Sequence, residues 1–234
     1  MGQKKLRRFA EIKTFSNVLE YPNDMKGKWA AFFQNENPLT LELACGKGEY
    51  TVGLARLYAH RNFIGVDVKG NRIWRGAKTA IDEKLNNAGF LRTQIDKIDE
   101  YFATDEVSEI WITFPDPQLR LSRIEKRLTH PKFLRKYQTF LKSGGYINLK
   151  TDSPDLYFFT KKVIELYNLN CEIDLGDVYA SNNINEELKI QTHYEGLDIA
   201  QSSKVHYLKF QLNKGLPSEK DSILKDMFRE KELD

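Results

Sequence analysis

The sequence of 234 residues is poor in cysteine and has no long apolar run. Its two cysteines, Cys45 and Cys171, have neither the spacing of a metal site nor the number that a disulfide framework needs. We therefore predict no bound metal. No apolar segment approaches the length of a membrane-spanning helix, and the basic N-terminus is not followed by the apolar segment of a signal peptide. These absences predict a cytoplasmic protein without a membrane partner.

The composition is that of an ordinary globular protein, with 41% hydrophobic and 29% charged residues. The length is sufficient for one α/β domain with a substantial core. Neither an internal repeat nor a low-complexity tract is visible. We predict a basic N-terminal arm over 1–35, the main domain over 36–215 and a charged C-terminal tail over 216–234. The sequence leaves open whether the protein is a monomer or a homodimer.

The net charge of +3 is modest, but the basic residues are unevenly distributed. A first group, opposed only by Glu11, consists of Lys4, Lys5, Arg7, Arg8 and Lys13. A second group, opposed only by Glu125, consists of Arg120, Arg123, Lys126, Arg127, Lys132, Arg135 and Lys136. Such groups bind the phosphates of nucleic acids, yet basic runs are also common on solvated surfaces. Charge alone favours neither interpretation.

The most informative stretch, residues 39–50, reads as a short apolar strand that ends in a turn containing Gly46 and Gly48. Apolar residues at helical spacing follow over 51–58. Glycines let the backbone approach a ligand closely, and the first amides of a helix are available donors. A second short strand ends just before Asp67. In a doubly wound sheet an acid at this place accepts hydrogen bonds from ribose hydroxyls, so the motif predicts a pocket for an adenosine-containing ligand.

The residues around this turn discriminate between adenosine cofactors. A dinucleotide fingerprint requires a third glycine, and Thr51 stands in its place. Glu42 lies within the first strand, where a carboxylate would repel a diphosphate and attract a cation. S-adenosylmethionine carries a sulfonium and an ammonium and no phosphate, so it suits the site better than NAD. The alternative is a plain turn with Asp67 as a helix cap, but the order of strand, acid, paired glycines, helix, strand and acid favours a cofactor site.

Five further apolar segments complete the predicted sheet, at residues 90–95, 107–114, 146–149, 169–178 and 205–212. Helical patterns lie between them, including residues 73–85, 128–141 and the segment from 154 onward. Together they predict a Rossmann-like, doubly wound, mostly parallel seven-stranded sheet with helices on both faces. Asp96 and Asp116 each follow a strand and would meet at one edge, although either could instead be a turn or cap residue. Pro115 and Pro117 would fix the direction of Asp116, and Asp152 reaches the same edge after another strand.

Six stretches of the chain, taken in order, carry a more specific signal: Arg-Phe-Ala-Glu-Ile-Lys-Thr-Phe, Leu-Glu-Leu-Ala-Cys-Gly-Lys-Gly-Glu, Ile-Gly-Val-Asp, Phe-Pro-Asp-Pro, Leu-Lys-Thr-Asp and Thr-His-Tyr-Glu. With them the chain resembles the bacterial single-chain tRNA (guanine-N7)-methyltransferases from about residue 6 to residue 210. The glycine turn is shared by many methyltransferases. The order of Phe-Pro-Asp-Pro, a basic stretch, Thr-Asp and Thr-x-Tyr-Glu is specific in combination.

The resemblance implies a class I methyltransferase that moves a methyl group from S-adenosylmethionine to N7 of a guanine in the variable loop of tRNA. It implies that the cofactor-binding acids are Glu42, Asp67 and Asp96, beside Gly46 and Gly48. It assigns catalysis, together with a cofactor contact, to Asp116. The positions that bind the target guanine or the tRNA are Arg120, Asp152, Thr192, His193, Tyr194 and Glu195. The residues expected to contact the RNA backbone are Lys4, Lys5, Arg7, Arg8, Arg123, Lys126 and Arg127.

The chain departs from the family pattern after Asp116-Pro117, where Gln118-Leu119-Arg120 replaces the usual Trp-Pro-Lys. Arg120 keeps the positive charge with a different geometry, and a stacking role for this loop is not expected without the aromatic residue. Two other functions stay open at this point. One is methylation of a small molecule or a protein, which would leave the basic segments unused. The other is RNA binding without catalysis, against which the intact Glu42, Asp67 and Asp116 count.

Overall fold

The computed structural model describes residues 2–193, 195–197 and 201–230. Its central element is a sheet of eight strands, β1 (Val18–Glu20), β2 (Leu39–Leu43), β3 (Asn62–Asp67), β4 (Ala88–Arg92), β5 (Val107–Thr113), β6 (Leu141–Thr151), β7 (Asn170–Leu175) and β8 (His206–Gln211). The strand order is β1-β4-β3-β2-β5-β6-β8-β7. Strand β8 runs antiparallel to its neighbours β6 and β7, and every other neighbouring pair is parallel.

The predicted doubly wound, mostly parallel sheet is confirmed, with one strand more than the seven predicted. The additional strand is β1, which aligns Val18 with Phe90 and Glu20 with Arg92 of β4. This strand has only three residues, too few to show an alternating apolar pattern in the sequence. Its position depends on the edge that β4 offers, which is a property of the assembled sheet.

The helices lie at α1 (Gly2–Ile12), α2 (Trp29–Phe33), α3 (Glu49–Leu57), α4 (Gly70–Asp82), α5 (Pro131–Gln138), α6 (Pro154–Leu166), α7 (Glu186–Lys189) and α8 (Lys220–Glu230). Short 3-10 helices lie at Ile95–Glu100, Leu121–Lys126 and Glu195–Leu197. The helix predicted over 128–141 begins only at Pro131, because a proline disfavours helical backbone in the residue before it. His130 is accordingly extended and caps α5, its Nδ1 accepting a hydrogen bond from Lys132 N at 3.1 Å.

The core consists of two apolar layers, one on each face of the sheet. Strand residues alternate between them, so Ile64 packs in one layer and its neighbour Phe63 in the other. The layer that contains Ile64 is covered by α2, α5, α6 and α8. The layer that contains Phe63 is covered by α1, α3, α4 and α7. Both faces of β2 and β3 are therefore buried, including the polar side chains of Thr40 and Glu42 in β2.

The segments before and after the main domain contact it. Helix α1 packs on α4 through the buried Ile12, and a hydrogen bond of 3.0 Å joins Trp74 Nε1 to Glu11 Oε2. Helix α8 inserts the buried Leu224 against α6, and Arg135 forms an ion pair of 2.5 Å with Asp221. The domain boundaries at residues 35 and 215 stay predictions. No helix within the described ranges is long and apolar enough to cross a bilayer.

Candidate active site

The sheet reverses its winding direction at β2, and this places the predicted acids at one edge. Strands β3 and β4 lie on one side of β2, and β5 and β6 lie on the other. In such sheets ligands bind in the crevice beyond the carboxyl ends of the strands at the reversal point. The glycine turn follows β2, Asp67 ends β3, and Asp116 and Asp152 follow β5 and β6. The structure thus brings these acids to the same edge.

The glycine turn is in contact with the backbone of α4. Gly48 has a φ of 72°, and a Cβ atom there would lie 2.5 Å from the ring of Phe90. A Cβ on Gly76 would lie 2.7 Å from the carbonyl oxygen of Lys47 and 3.0 Å from the Cα of Gly48. Gly76 thus supplies the close helix contact that a third glycine would give in a dinucleotide fingerprint. Gly76 carries no signal of this contact in the sequence, because an isolated glycine in a helical pattern does not show which backbone it meets.

Asp67 fixes the glycine turn to β3. The carboxylate is 8% exposed, and its Oδ2 accepts a hydrogen bond of 3.0 Å from Gly46 N while its Oδ1 accepts one of 2.7 Å from Lys69 N. Each carboxylate oxygen has a further lone pair, so these two bonds leave acceptor capacity for ribose hydroxyls. The alternative role of Asp67 as a helix cap does not apply to α4, whose N-cap residue is Lys69, and the two hydrogen bonds are compatible with the predicted cofactor contact.

Glu42 lies beneath the turn with 3% of its surface exposed. Its Oε2 accepts hydrogen bonds from the backbone N–H of Thr51 at 2.7 Å and from the Thr51 hydroxyl, and its Oε1 accepts one of 2.6 Å from the Thr113 hydroxyl. Burial raises the pKa of Glu42 to about 7, although the hydrogen bonds from the two threonines act in the opposite direction. A cation placed nearby would favour the ionised form.

Asp96 and Asp116 are both exposed and both belong to short turns. Asp96 begins a 3-10 helix and forms an ion pair of 3.5 Å with Lys132. Asp116 Oδ1 accepts a hydrogen bond of 3.0 Å from Gln118 N, which is the bond of an Asx turn. Around Asp116 lies a hollow lined also by Pro117, Gln118, Leu119, Arg120 and Arg123. Asp116 thus makes a turn and also faces an open site beside basic side chains.

Thr192 and Glu195 of the Thr-His-Tyr-Glu motif are hydrogen-bonded to each other. The Glu195 N–H donates to the Thr192 hydroxyl at 3.2 Å, and the Thr192 N–H donates to Glu195 Oε2 at 3.4 Å. His193 is exposed, and Tyr194 lies outside the described residues. Asp152 is half-buried, and its carbonyl accepts a hydrogen bond of 2.8 Å from the Ser202 hydroxyl.

Lys150 is a buried residue of this edge that the sequence analysis did not select. Its ammonium contacts Glu195 Oε2 at 3.1 Å, although the two residues are far apart in sequence. Its only sequence signal was a cation that directly follows an apolar strand, within Leu-Lys-Thr-Asp.

The basic residues predicted to contact RNA fall into two environments. Lys5 and Arg7 are exposed on α1, and Arg8 is half-buried with its guanidinium 4.6 Å from the Trp74 ring centre. Arg123 and Lys126 are exposed, as is Arg120 at the start of the same 3-10 helix; of Lys4 only the helical backbone is described.

The structure differs from the prediction at Arg127. This side chain is 4% exposed, with its guanidinium 4.6 Å from the ring centre of Phe159 and 5.7 Å from that of Phe228. Burial lowers its pKa, and the cation packs between aromatic rings instead of facing solvent. Arg127 is therefore a core residue of this fold. Within the part of the chain that the structure describes, no group of three His, Cys, Asp or Glu residues could hold a metal ion.

The winding of the sheet, the glycine turn and the acids at its edge define a class I S-adenosylmethionine-dependent methyltransferase. Solved structures with this fold include the 16S rRNA methyltransferase KamB, with a TM-score of 0.61, 13% sequence identity, and coverage of 83% of this chain and 98% of that chain. The aminoglycoside resistance methyltransferase NpmB1 has a TM-score of 0.56 and 16% identity over 82% of this chain and 94% of that chain. At these identities the likeness concerns the fold alone.

Sequence comparison identifies the family. The model of a family described as putative methyltransferases matches residues 36–208. The tRNA (guanine-N(7)-)-methyltransferase of Bacteroides fragilis is 45% identical over 91% of this chain and 87% of its own length. That of Christiangramia forsetii is 45% identical over 91% of this chain and 100% of its own length. The chain belongs to this methyltransferase family.

Proposed function

We propose that the chain transfers a methyl group from S-adenosylmethionine to N7 of a guanine in tRNA. The observation that carries the proposal is the similarity to the two tRNA (guanine-N(7)-)-methyltransferases over 91% of the chain. The proposal is supported by the position of Asp116 and Asp152, which follow the neighbouring parallel strands β5 and β6. The guanine of the variable loop is the target that the resemblance implies.

The residues of the glycine turn suit S-adenosylmethionine as the cofactor. Asp67 has free acceptor capacity for the ribose hydroxyls, and Glu42 provides a buried carboxylate beneath the turn. Asp96 follows β4 in the first turn of a 3-10 helix, and we assign it to the adenine side of the cofactor. A site with this many acids disfavours a diphosphate and favours a cationic ligand. When bound, the cofactor supplies an electrophilic methyl group on its sulfonium.

The chemistry at the guanine requires positioning more than proton removal. Guanine N7 has an in-plane lone pair and carries no proton, so no general base is needed before attack. Catalysis by this chain then consists of holding the base in line and stabilising the positive charge that develops on the purine. The exposed Asp116 and the half-buried Asp152 are the carboxylates best placed to do this.

The same carboxylates account for the choice of base. Guanine presents N1–H and N2–H donors, and carboxylate oxygens accept them. Adenine has no such donor edge, so binding it would leave desolvated acceptors unpaired. We infer that the target guanine leaves the base stack to reach this edge.

Exposed basic residues on both sides of the site hold the RNA backbone in this proposal. They are Lys5 and Arg7 on α1, with Arg8 half-buried beside Trp74, Arg120 and Arg123 at the hollow next to Asp116, and Lys126 at the end of the same 3-10 helix. Phosphate contacts fix the register of the RNA without reading its sequence. A tRNA substrate also favours a cytoplasmic location. Monomer and homodimer both stay compatible with the site.

The test is mass-spectrometric mapping of methylated guanine in tRNA after incubation with the purified protein and S-adenosylmethionine. We expect one N7-methylguanosine in the variable loop, and no product from a tRNA in which adenine replaces that guanine. Methyl transfer to the adenine-substituted tRNA would favour another substrate. Absence of cofactor binding by calorimetry would favour RNA binding without catalysis.

A further inference from the structure

Lys150 is a fully buried cation at the active-site end of β6. Its side chain is 0% exposed, and its ammonium donates hydrogen bonds to the carbonyl oxygens of Leu188 and Ile190, both at 2.9 Å, and to Glu195 Oε2 at 3.1 Å. An ammonium has three donors, and here all three are used. The three acceptors belong to the segment 188–195, of which the structure describes 188–193 and 195, and this segment packs on α3, where a Cβ on Gly53 would lie 2.8 Å from Ile190. One side chain of the sheet thus fixes that segment at both of its ends.

The surroundings of Lys150 connect this segment to the rest of the site. The ammonium lies 5.6 Å from the ring centres of Tyr50 and Phe114 and 5.8 Å from that of Tyr179. Tyr50 belongs to the helix that follows the glycine turn, and Phe114 begins Phe-Pro-Asp-Pro. The Phe114 N–H also donates to the Lys150 carbonyl at 2.8 Å. Lys150 therefore lies between the helix that follows the glycine turn, the start of the Asp116 loop and segment 188–195.

The acceptor of the ion pair is itself immobilised. The Glu195 side chain is 6% exposed, and its Oε2 receives both Lys150 and the Thr192 N–H, while its Oε1 receives the Tyr179 hydroxyl. Burial lowers the pKa of Lys150, and Glu195 opposes that shift. Removing either partner would leave the other charge buried without compensation, which is strongly unfavourable. The pair thus stabilises one arrangement of the segment over alternatives.

We infer that Lys150 is a positioning residue for methyl transfer: through Glu195, Leu188 and Ile190 it fixes segment 188–195 where the target guanine binds. In this role the Glu195 carboxylate is bound by other residues of the chain, and more accessible residues such as Asp152 contact the base directly. The inference rests on the proposed function for its catalytic consequence. The fixing of the segment is a property of the chain alone and has a separate test.

The test compares Lys150→Met, which removes the charge and keeps the length of the side chain, with Arg61→Met. Arg61 pairs with Glu109 near the amino ends of the strands, so its variant also breaks a partly buried ion pair, but away from the site. Calorimetry with S-adenosylmethionine counts the folded, cofactor-binding sites in each preparation. Turnover on tRNA is expressed per such site, which removes the contribution of unfolded protein.

We expect Lys150→Met to lower kcat per site by about 100-fold, as for a misplaced reacting group, with cofactor Kd changed by less than about twofold. Arg61→Met should keep the wild-type kcat per site. Glu195→Gln should resemble Lys150→Met, and the double variant should lose no more than either single variant, because both break the same contact. Equal kcat values for the Lys150 and Arg61 variants, or multiplying losses in the double variant, would overturn the inference.

Hydrogen exchange separates this inference from the proposed function. In the free protein, amides of segment 188–195 should exchange faster in Lys150→Met than in the wild type, while those of β2 and β3 stay protected. Unchanged exchange in the segment would overturn the inference whatever the enzymatic result. Absence of methylated guanine with the wild-type protein would refute the proposed function and leave this exchange experiment as the test of the contact.

Discussion

Replacing Glu42 by Gln tests whether the buried carboxylate strengthens cofactor binding while it lowers the stability of the folded chain. The substitution keeps the shape of the side chain and an oxygen for Thr51, and its amide can donate to the Thr113 hydroxyl. What it removes is the charge. Among the described residues, the wild-type carboxylate is buried with hydrogen-bond donors from two threonines as its partners and with no cation bound to it.

The expected gain in stability follows from the raised pKa. In the unfolded chain Glu42 titrates near its ordinary value of 4.5, and in the folded chain near 7. Between these values the folded chain holds a proton that the unfolded chain has released, so rising pH destabilises the fold through this window. At about 1.4 kcal/mol per pH unit, the full window from 4.5 to about 7 corresponds to between about 3 and 4 kcal/mol. Glu42→Gln should recover that energy above pH 7 and little of it near pH 4.5.

The assay is urea unfolding of the cofactor-free protein at about pH 5 and about pH 8, combined with calorimetric titration of S-adenosylmethionine. We expect the variant to be more stable than the wild type at the higher pH only. Its cofactor affinity should fall by about tenfold or more, the equivalent of one charge-assisted interaction of about 1.5 kcal/mol. Wild-type affinity should rise with pH through 7, and the variant controls for titration of the ligand itself.

Glu106→Gln is the matched control at the opposite edge of the sheet. Its carboxylate accepts backbone N–H bonds from Gly27, Trp29 and Ala103 at 3.0, 3.2 and 2.7 Å. This variant should lose stability without a change in cofactor affinity. The reasoning about Glu42 is refuted by a Glu42→Gln variant that is no more stable than the wild type at the higher pH, or by one that binds the cofactor with unchanged affinity.

Three further substitutions test other parts of the site. Asp116→Asn keeps the turn bond to Gln118 and removes the charge, so turnover should fall by about 100-fold while cofactor Kd stays nearly constant; unchanged turnover would rule out a catalytic role. Gly76→Ala should push the glycine turn away from α4, destabilise the fold by about 1–3 kcal/mol and weaken cofactor binding. Gly176→Ala, where a Cβ meets nothing closer than 3.9 Å, should change neither stability nor affinity. Equal effects of the two substitutions would contradict the packing account. Replacing Lys5 and Arg7 together by Gln should reduce the slope of log K for tRNA binding against log salt concentration by up to about two. A slope equal to that of a Lys142→Gln control would show that α1 makes no phosphate contact.

Local sequence patterns predicted most of the sheet and the acids at its edge. Apolar runs broken by glycine, proline or aspartate mark where buried strands end, as at Asp67 and Asp116. Because parallel strands in a doubly wound sheet share their carboxyl edge, knowing where strands end was enough to place these acids together. The nature of the cofactor followed from local chemistry, since Glu42 and the missing third glycine are both visible in one stretch.

The sequence by itself determined the doubly wound architecture, the sheet edge of the candidate site and the acids around the glycine turn. Only the tertiary structure decided the third close glycine at Gly76, the burial of Arg127 between Phe159 and Phe228, and the pairing of Lys150 with Glu195. The physical reason is the range of the interactions. Strand endings and helix starts depend on neighbouring residues, whereas the partner of a buried cation is fixed by which distant elements the packing brings within a few ångströms of it.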